Sequence, residues 1–83
     1  MVIQTHAPEN GWNEEFPDRQ LYFRGGTVLA VVTCIQSHWF GRLTMTAVGF
    51  NRDTHHYASW IKYSSPEEAQ TNLEAIMALE GLI

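Results

Sequence analysis

Few side chains in this chain can do covalent or acid–base chemistry. Its one cysteine, Cys34, stands four residues before His38, and a thiolate–imidazole pair is the smallest unit of nucleophilic catalysis. Cys34 lies between Thr33 and Ile35 in an apolar run, the setting of a small buried hydrophobe, which denies a thiol the access a nucleophile needs. His55 and His56 are adjacent. Neighbours in a strand point to opposite faces, so a shared metal ion would need further ligands from afar. Cys34 and His38 together supply two ligands, short of a four-coordinate site. Glu14, Glu15 and Asp18 form an acidic cluster, and paired carboxylates can run acid–base chemistry. No pocket-forming pattern accompanies them, so they read as solvated charge. The chain has no Gly-x-Ser-x-Gly elbow, glycine-rich phosphate loop or His-Glu-x-x-His. The expectation is no catalytic residue, no metal and no cofactor, hence not an enzyme.

The aromatic residues carry more information. The chain holds three Trp, three Tyr and four Phe, and several stand where a small core would not need them. Trp12 and Phe16 bracket Glu14 and Glu15, with Asp18 close by, and Trp39-Phe40 follows His38. Aromatic anchors among carboxylates suit a basic protein surface, since rigid rings supply contact area and rim charges steer encounter. Trp12, Glu14, Glu15, Phe16, Asp18, Trp39 and Phe40 are therefore the candidate partner-binding residues.

The elements that must position them follow from turn chemistry and periodicity. Residues 1–18 are rich in turn-makers (Pro8, Asn10, Gly11, Asn13, Pro17, Asp18) and show neither a helical nor an alternating period. They read as an irregular arm, anchored by Val2, Ile3, Trp12 and Phe16. Gly25-Gly26 separates two strand-like runs, 19–24 and 27–36, as a two-residue hairpin turn with positive φ does. In that register Phe23 faces Val28, Tyr22 faces Leu29 and Leu21 faces Ala30. A turn through 37–41 leads to a third strand, 42–50. A hairpin loop at 51–54 and a fourth strand at 56–63 complete the sheet, residues 19–63. Ser65, Pro66 and Glu68 supply the N-cap, first-turn proline and capping box of a helix over 65–80, with Gly81 as its left-handed stop. Ala69, Leu73, Ile76, Met77 and the later Leu82 make its apolar stripe, and Glu67, Gln70, Thr71, Glu74 and Glu80 fall off it.

The predicted fold is thus α+β: a four-stranded antiparallel meander with one C-terminal helix on one face, a single domain of 83 residues. The second strand is apolar on both sides, with Val28, Ala30, Val32 and Cys34 pointing one way and Leu29, Val31, Thr33 and Ile35 the other. An antiparallel sheet with one wet face alternates more cleanly. The second face therefore needs a cover: the arm, a second copy or a partner.

Five basic and nine acidic residues give a formal net charge of −4. Sequence-independent nucleic-acid binding rests on clustered Lys and Arg, and Arg19, Arg24, Arg42, Arg52 and Lys62 are scattered, so no direct contact with nucleic acid is expected. The longest apolar run, 28–35, is far short of the ~20 residues of a membrane span. The first residues lack the basic start and apolar core of a secretory signal. The expected setting is cytoplasmic, without a membrane.

The segment 40–79 runs strand, turn, strand, then Trp60-Ile61-Lys62-Tyr63-Ser64-Ser65-Pro66-Glu67-Glu68-Ala69 and a helix. In outline it resembles the three-strand-plus-helix DNA-binding domains of the AP2 type. Those domains read DNA with a strongly basic sheet, whereas here the strands carry Arg42, Arg52 and Lys62 interleaved with Met45, Ala47 and Val48. The profile of the whole chain is similar to that of small phage-encoded inhibitors of the anti-CRISPR kind: single acidic α+β domains of this size with no catalytic motif. That resemblance implies a viral protein acting in the host cytoplasm. It would inhibit without chemistry, by covering a basic surface of a larger protein or ribonucleoprotein that processes nucleic acid. The alternatives are a homodimeric accessory domain joined through the open sheet face, and a small nucleic-acid-binding domain.

Overall fold

The computed structural model describes residues 9–49 and 53–83. It is α+β: a five-stranded antiparallel sheet in the sequential order β1-β2-β3-β4-β5, backed by a C-terminal helix. The strands are β1 (Gly11–Phe16), β2 (Arg19–Arg24), β3 (Thr27–Ile35), β4 (His38–Leu43) and β5 (Ile61–Tyr63). Between β4 and β5 lie a one-turn helix, α1 (Met45–Val48), and a 3₁₀ turn, His55–Ala58; the long helix is α2 (Pro66–Leu79).

The β2–β3 hairpin turns at Gly25 and Gly26, with φ of 59° and 80°, the paired positive φ that matches strand twist. Phe23 faces Val28 as expected. Beyond it the register departs from the sequence reading, because Tyr22 pairs with Ala30 and Leu21 with Val31. Leu29 is the extra residue of a β-bulge, and the bulge turns it into the core beside Ala30. Ala30 takes the place expected for Leu29 opposite Tyr22, and Val28 stays opposite Phe23 on the other face.

Further expectations are corrected. The arm is not irregular from Gly11 onward: Gly11–Phe16 is an edge strand paired with β2. A bulge at Glu15 and the turn at Pro17-Asp18 interrupt the alternation that would have marked it. The next strand begins at His38 rather than 42, because the chain reverses at Gln36 and Ser37 with φ of 51° and 67°. Non-glycine residues rarely take that conformation, so the sequence hides the turn.

Nor is 42–50 a strand to its end. Thr44 donates to the Val28 carbonyl (2.7 Å) while its oxygen accepts from the Ala47 amide (3.2 Å), capping α1. The segment expected as a strand from residue 56 starts as the 3₁₀ turn and becomes extended at Ile61. The expected loop at 51–54 lies partly outside the described residues, as do Val2, Ile3, Pro8 and Arg52. With α1 and the 3₁₀ turn between β4 and β5, the three-strand outline shared with AP2-type domains is not present.

The helix matches its signals. Ser65 Oγ accepts from the Glu68 amide (3.1 Å), and the Glu68 carboxylate reaches back to the Ser64 amide and hydroxyl, one residue before the position of a standard capping box. Gly81, at φ 73°, closes the C-terminus; Leu82 N–H donates to the Met77 carbonyl (2.8 Å) in a Schellman arrangement.

Ala69, Leu73 and Met77 bury the inner stripe of α2 against Ala30, Val32, Leu43 and Tyr63, with Leu29 and Val48 completing the core. Gly41 makes this approach possible, since a Cβ there would stand 2.8 Å from Leu73 Cδ1 and 3.1 Å from Tyr63 Cε2. Two residues expected off the stripe tie the helix to the far strands. Glu74 accepts from Trp12 Nε1 of β1 (2.8 Å), and Gln70 bonds Gln20 of β2. The sheet thus presents one face to α2 and the other away from it.

Candidate functional site

Strand alternation separates two of the residues considered for chemistry. Cys34 pairs with Trp39 and Ile35 with His38, so the thiol and the imidazole point to opposite faces and form no catalytic pair. His55 and His56 lie in the 3₁₀ turn, where His56 stacks at a tilt on Tyr57 (4.0 Å between centroids). No group of three or more His, Cys, Asp or Glu among the described residues could hold a metal ion. No helix among them is long and apolar enough to cross a membrane.

The candidate partner-binding residues divide between the two faces. Trp12 belongs to the covered face: its ring meets Tyr22 edge-on (5.2 Å between centroids), its indole N–H is held by Glu74, and it packs against the core. Trp39 also packs against the core. Glu14, opposite Gln20, is on the same side. Phe16 pairs with Arg19, and Phe40 pairs with Thr33 and Lys62, which places both on the other face. Glu15, at the β1 bulge, forms an exposed ion pair with Arg19 (3.4 Å). Asp18 caps the end of the hairpin, its carbonyl accepting from the Cys34 amide (2.8 Å). Trp12, Glu14, Glu15, Phe16 and Asp18 are neighbours in sequence without forming one surface.

The structure assembles a different constellation on the face away from α2. Register places Leu21, Phe23, Val28, Val31, Ile35 and Phe40 on it, together with Arg19, Thr33, His38, Arg42 and Lys62. Trp60, just before β5, joins them, since the Arg42 guanidinium lies 4.7 Å from the centre of its ring. Phe16, Ile35 and Trp60 are 55%, 51% and 45% exposed, high for large apolar side chains. The elements flanking the sheet build the opposite side: Val48 of α1 and Tyr57 and Ala58 of the 3₁₀ turn pack with the helix-side core. The molecule measures 18 Å across its shortest extent, room for the sheet and one helix layer, since each further layer adds about 10 Å.

Charge is sorted the same way. None of the strand residues that register places on the open face is a carboxylate, whereas Arg19, Arg42 and Lys62 are cationic. The Arg42 Nε is buried without a hydrogen-bond partner. Exposed Glu67, Glu68 and Glu80 sit on α2 or its cap. A groove of about 550 Å³ on the helix side is lined by Tyr63, Glu67, Glu68, Thr71, Asn72 and Ala75. There the Tyr63 hydroxyl donates to Asn72 Oδ1 (2.6 Å), and burial, with the nearby Glu68 charge, raises its pKa above that of a free phenol. The sequence showed that β3 is apolar on both sides, but not that lysine and arginine collect with the aromatics on one of them. Pairing Phe40 with Lys62 and Arg42 with Val31 required the true start of β4.

No family model, curated protein or solved structure matches the chain.

Proposed function

We propose that this chain is a non-enzymatic binding protein, of the small-inhibitor kind, that works by occupying a surface of a larger macromolecule with the open face of its sheet. The observation that carries this reading is the apolar and aromatic set Phe16, Leu21, Phe23, Ile35, Phe40 and Trp60 lying away from the helix layer. Contiguous apolar surface of this kind marks interaction sites in soluble proteins, and aromatic residues with arginine are the common anchors of interfaces. Occlusion needs only a rigid scaffold and a complementary surface. The doubly tied helix and the sheet supply the first.

A second reading uses the other side. Exposed Glu67 and Glu68 beside the Tyr63 groove suit the basic surface of a nucleic-acid-processing complex, with carboxylates standing where phosphates would bind. One experiment separates the two. A photo-crosslinking phenylalanine analogue replaces Phe40 in one variant and Thr71 in another, and each is irradiated in the cells that make the protein. A discrete adduct from position 40 and none from 71 supports the open face. An adduct from 71 alone transfers the function to the acidic side.

A further inference from the structure

The net charge of the chain points to a basic partner; the face that would meet it points the other way. We propose that the open face binds an extended protein segment that is acidic around a large apolar side chain, the opposite sign from what the net charge of −4 suggests. This rests on the open face being the contact surface. One transverse row of the sheet runs Arg19, Thr33, Phe40, Lys62 across β2 to β5. A neighbouring row runs Leu21, Val31, Arg42, with Trp60 beside Arg42. Thr33 and Phe40 lie between the two cations of the first row, Phe16 follows Arg19 on β1, and Leu21 and the buried Val31 stand in the row beside them, so cations flank a largely apolar centre as a charged rim flanks an interface core.

Charge complementarity selects the occupant. A carboxylate arriving at Lys62 meets no acidic residue directed to this face by the strands. At Arg19 it exchanges with Glu15, whose exposed pair (3.4 Å) is worth little. A second copy seated face to face would set cations against cations. The face spans five strands at about 4.8 Å each and roughly 20 Å along them, about 500 Å², less than the ~800 Å² per partner of a stable protein interface. That area suits a short segment. Single-stranded nucleic acid would also meet the aromatics, but its affinity rests on tracking many phosphates with clustered cations, and the strands direct three spaced ones, Arg19, Arg42 and Lys62, to this face.

Geometry gives the segment its spacing. Arg19 and Lys62 are separated by three inter-strand steps, about 14 Å. In an extended chain rising about 3.4 Å per residue, side chains four residues apart cover that distance on one side. The segment therefore carries a carboxylate, a large apolar side chain two residues later and a second carboxylate two residues after that, lying across the strands.

The test is a random peptide display library selected on the immobilised full-length chain, followed by titration with a synthetic selected peptide. We expect enrichment of the acidic–apolar–acidic spacing. Lys62→Glu and Arg19→Glu should each weaken the peptide at least tenfold, and a peptide with lysines at the two acidic positions should regain binding to the double variant. Both residues are exposed, so the fold survives these changes. Enrichment of basic peptides, or indifference to Lys62→Glu, overturns the proposal. So does tighter binding of a fluorescent oligo-dT than of the peptide, or a dimer in sedimentation that Phe40→Asp dissolves. A crosslink at position 40 with basic selected peptides leaves the contact surface standing and removes its acidic ligand. Absence of that crosslink removes both.

Discussion

The two faces of the sheet share the same strands and differ in nearly everything else. On the covered face Ala30, Val32 and Leu43 are fully buried against Leu73 and Met77, and polar side chains there find partners in the helix, as Trp12 does in Glu74 and Tyr63 in Asn72. On the open face Ile35 and Trp60 remain about half exposed while Val31 is buried, and the Arg42 guanidinium lies over the Trp60 ring. The first face is designed around stability. The second holds apolar area beyond what folding uses, and this is where a binding function has material to work with. Charge is divided between the faces as well: the carboxylates of α2 fall on one side, and Arg19, Arg42 and Lys62 of the strands on the other.

The largest expected effect lies at the centre of the covered face. Leu73 is fully buried, so Leu73→Ala should destabilise by about 2–5 kcal/mol, the transfer loss plus a cavity. Ile35→Ala on the open face, at a side chain 51% exposed, should change stability by less than about 0.5 kcal/mol. Denaturant melts giving comparable losses would mean that the open face is covered in solution.

Next in size is Gly41→Ala. The new methyl would sit 2.8 Å from Leu73 Cδ1, with the Tyr63 ring at 3.1 Å. Both neighbours belong to the packed core, so the expected cost is about 1–3 kcal/mol of overpacking. Thermal melts check it. Combining it with Leu73→Ala should recover part of the loss, because the cavity and the added methyl meet.

How much of this was legible depended on how each element announces itself. Gly25-Gly26 and the Ser65-Pro66-Glu68 signature impose backbone geometry by residue type, and both the hairpin and α2 stand where those residues put them. The turn at Gln36-Ser37 has positive φ without glycine, so nothing in its residues separates it from the strands around it. α1 is made of Met45, Thr46, Ala47 and Val48, apolar enough to read as strand, and only the Thr44 cap marks it. The Leu29 bulge is a property of the pairing, not of leucine. The candidate site inherited these errors. Trp12 and Phe16 look alike as neighbours of Glu14 and Glu15, yet the bulge between them helps send one to the core and the other to the open face.

A smaller effect tests how tightly the helix is tied to the far edge of the covered face. Glu74→Ala removes the acceptor of the Trp12 indole N–H. Hydrogen bonds to charged groups contribute about 1.5–3 kcal/mol when buried; Glu74 is only half-buried, so about 1 kcal/mol is expected after solvent screening. A double-mutant cycle with Trp12→Phe should return a coupling energy of at least about 0.5 kcal/mol. Zero coupling would detach β1 from the helix layer and enlarge the open region of the molecule.

The smallest effect is a pH dependence at Tyr63. Burial, followed by the Glu68 charge, raises its pKa above the ordinary 10.0, because the phenolate is costly in that site. The unfolded chain then releases this proton at lower pH than the folded one does. The corresponding stabilisation is complete below about pH 10 and is lost as pH rises through the folded value. Tyr63→Phe removes this contribution along with the bond to Asn72. The variant should begin less stable at neutral pH and fall less steeply above about pH 10 than the parent. Ile35→Thr, on the open face, should follow the parent across the same range. If Tyr63→Phe also followed the parent, the phenol would be in water, and the helix would not close over the β5 end of the sheet. The covered face would then end at β4, and the boundary between stability and binding would move with it.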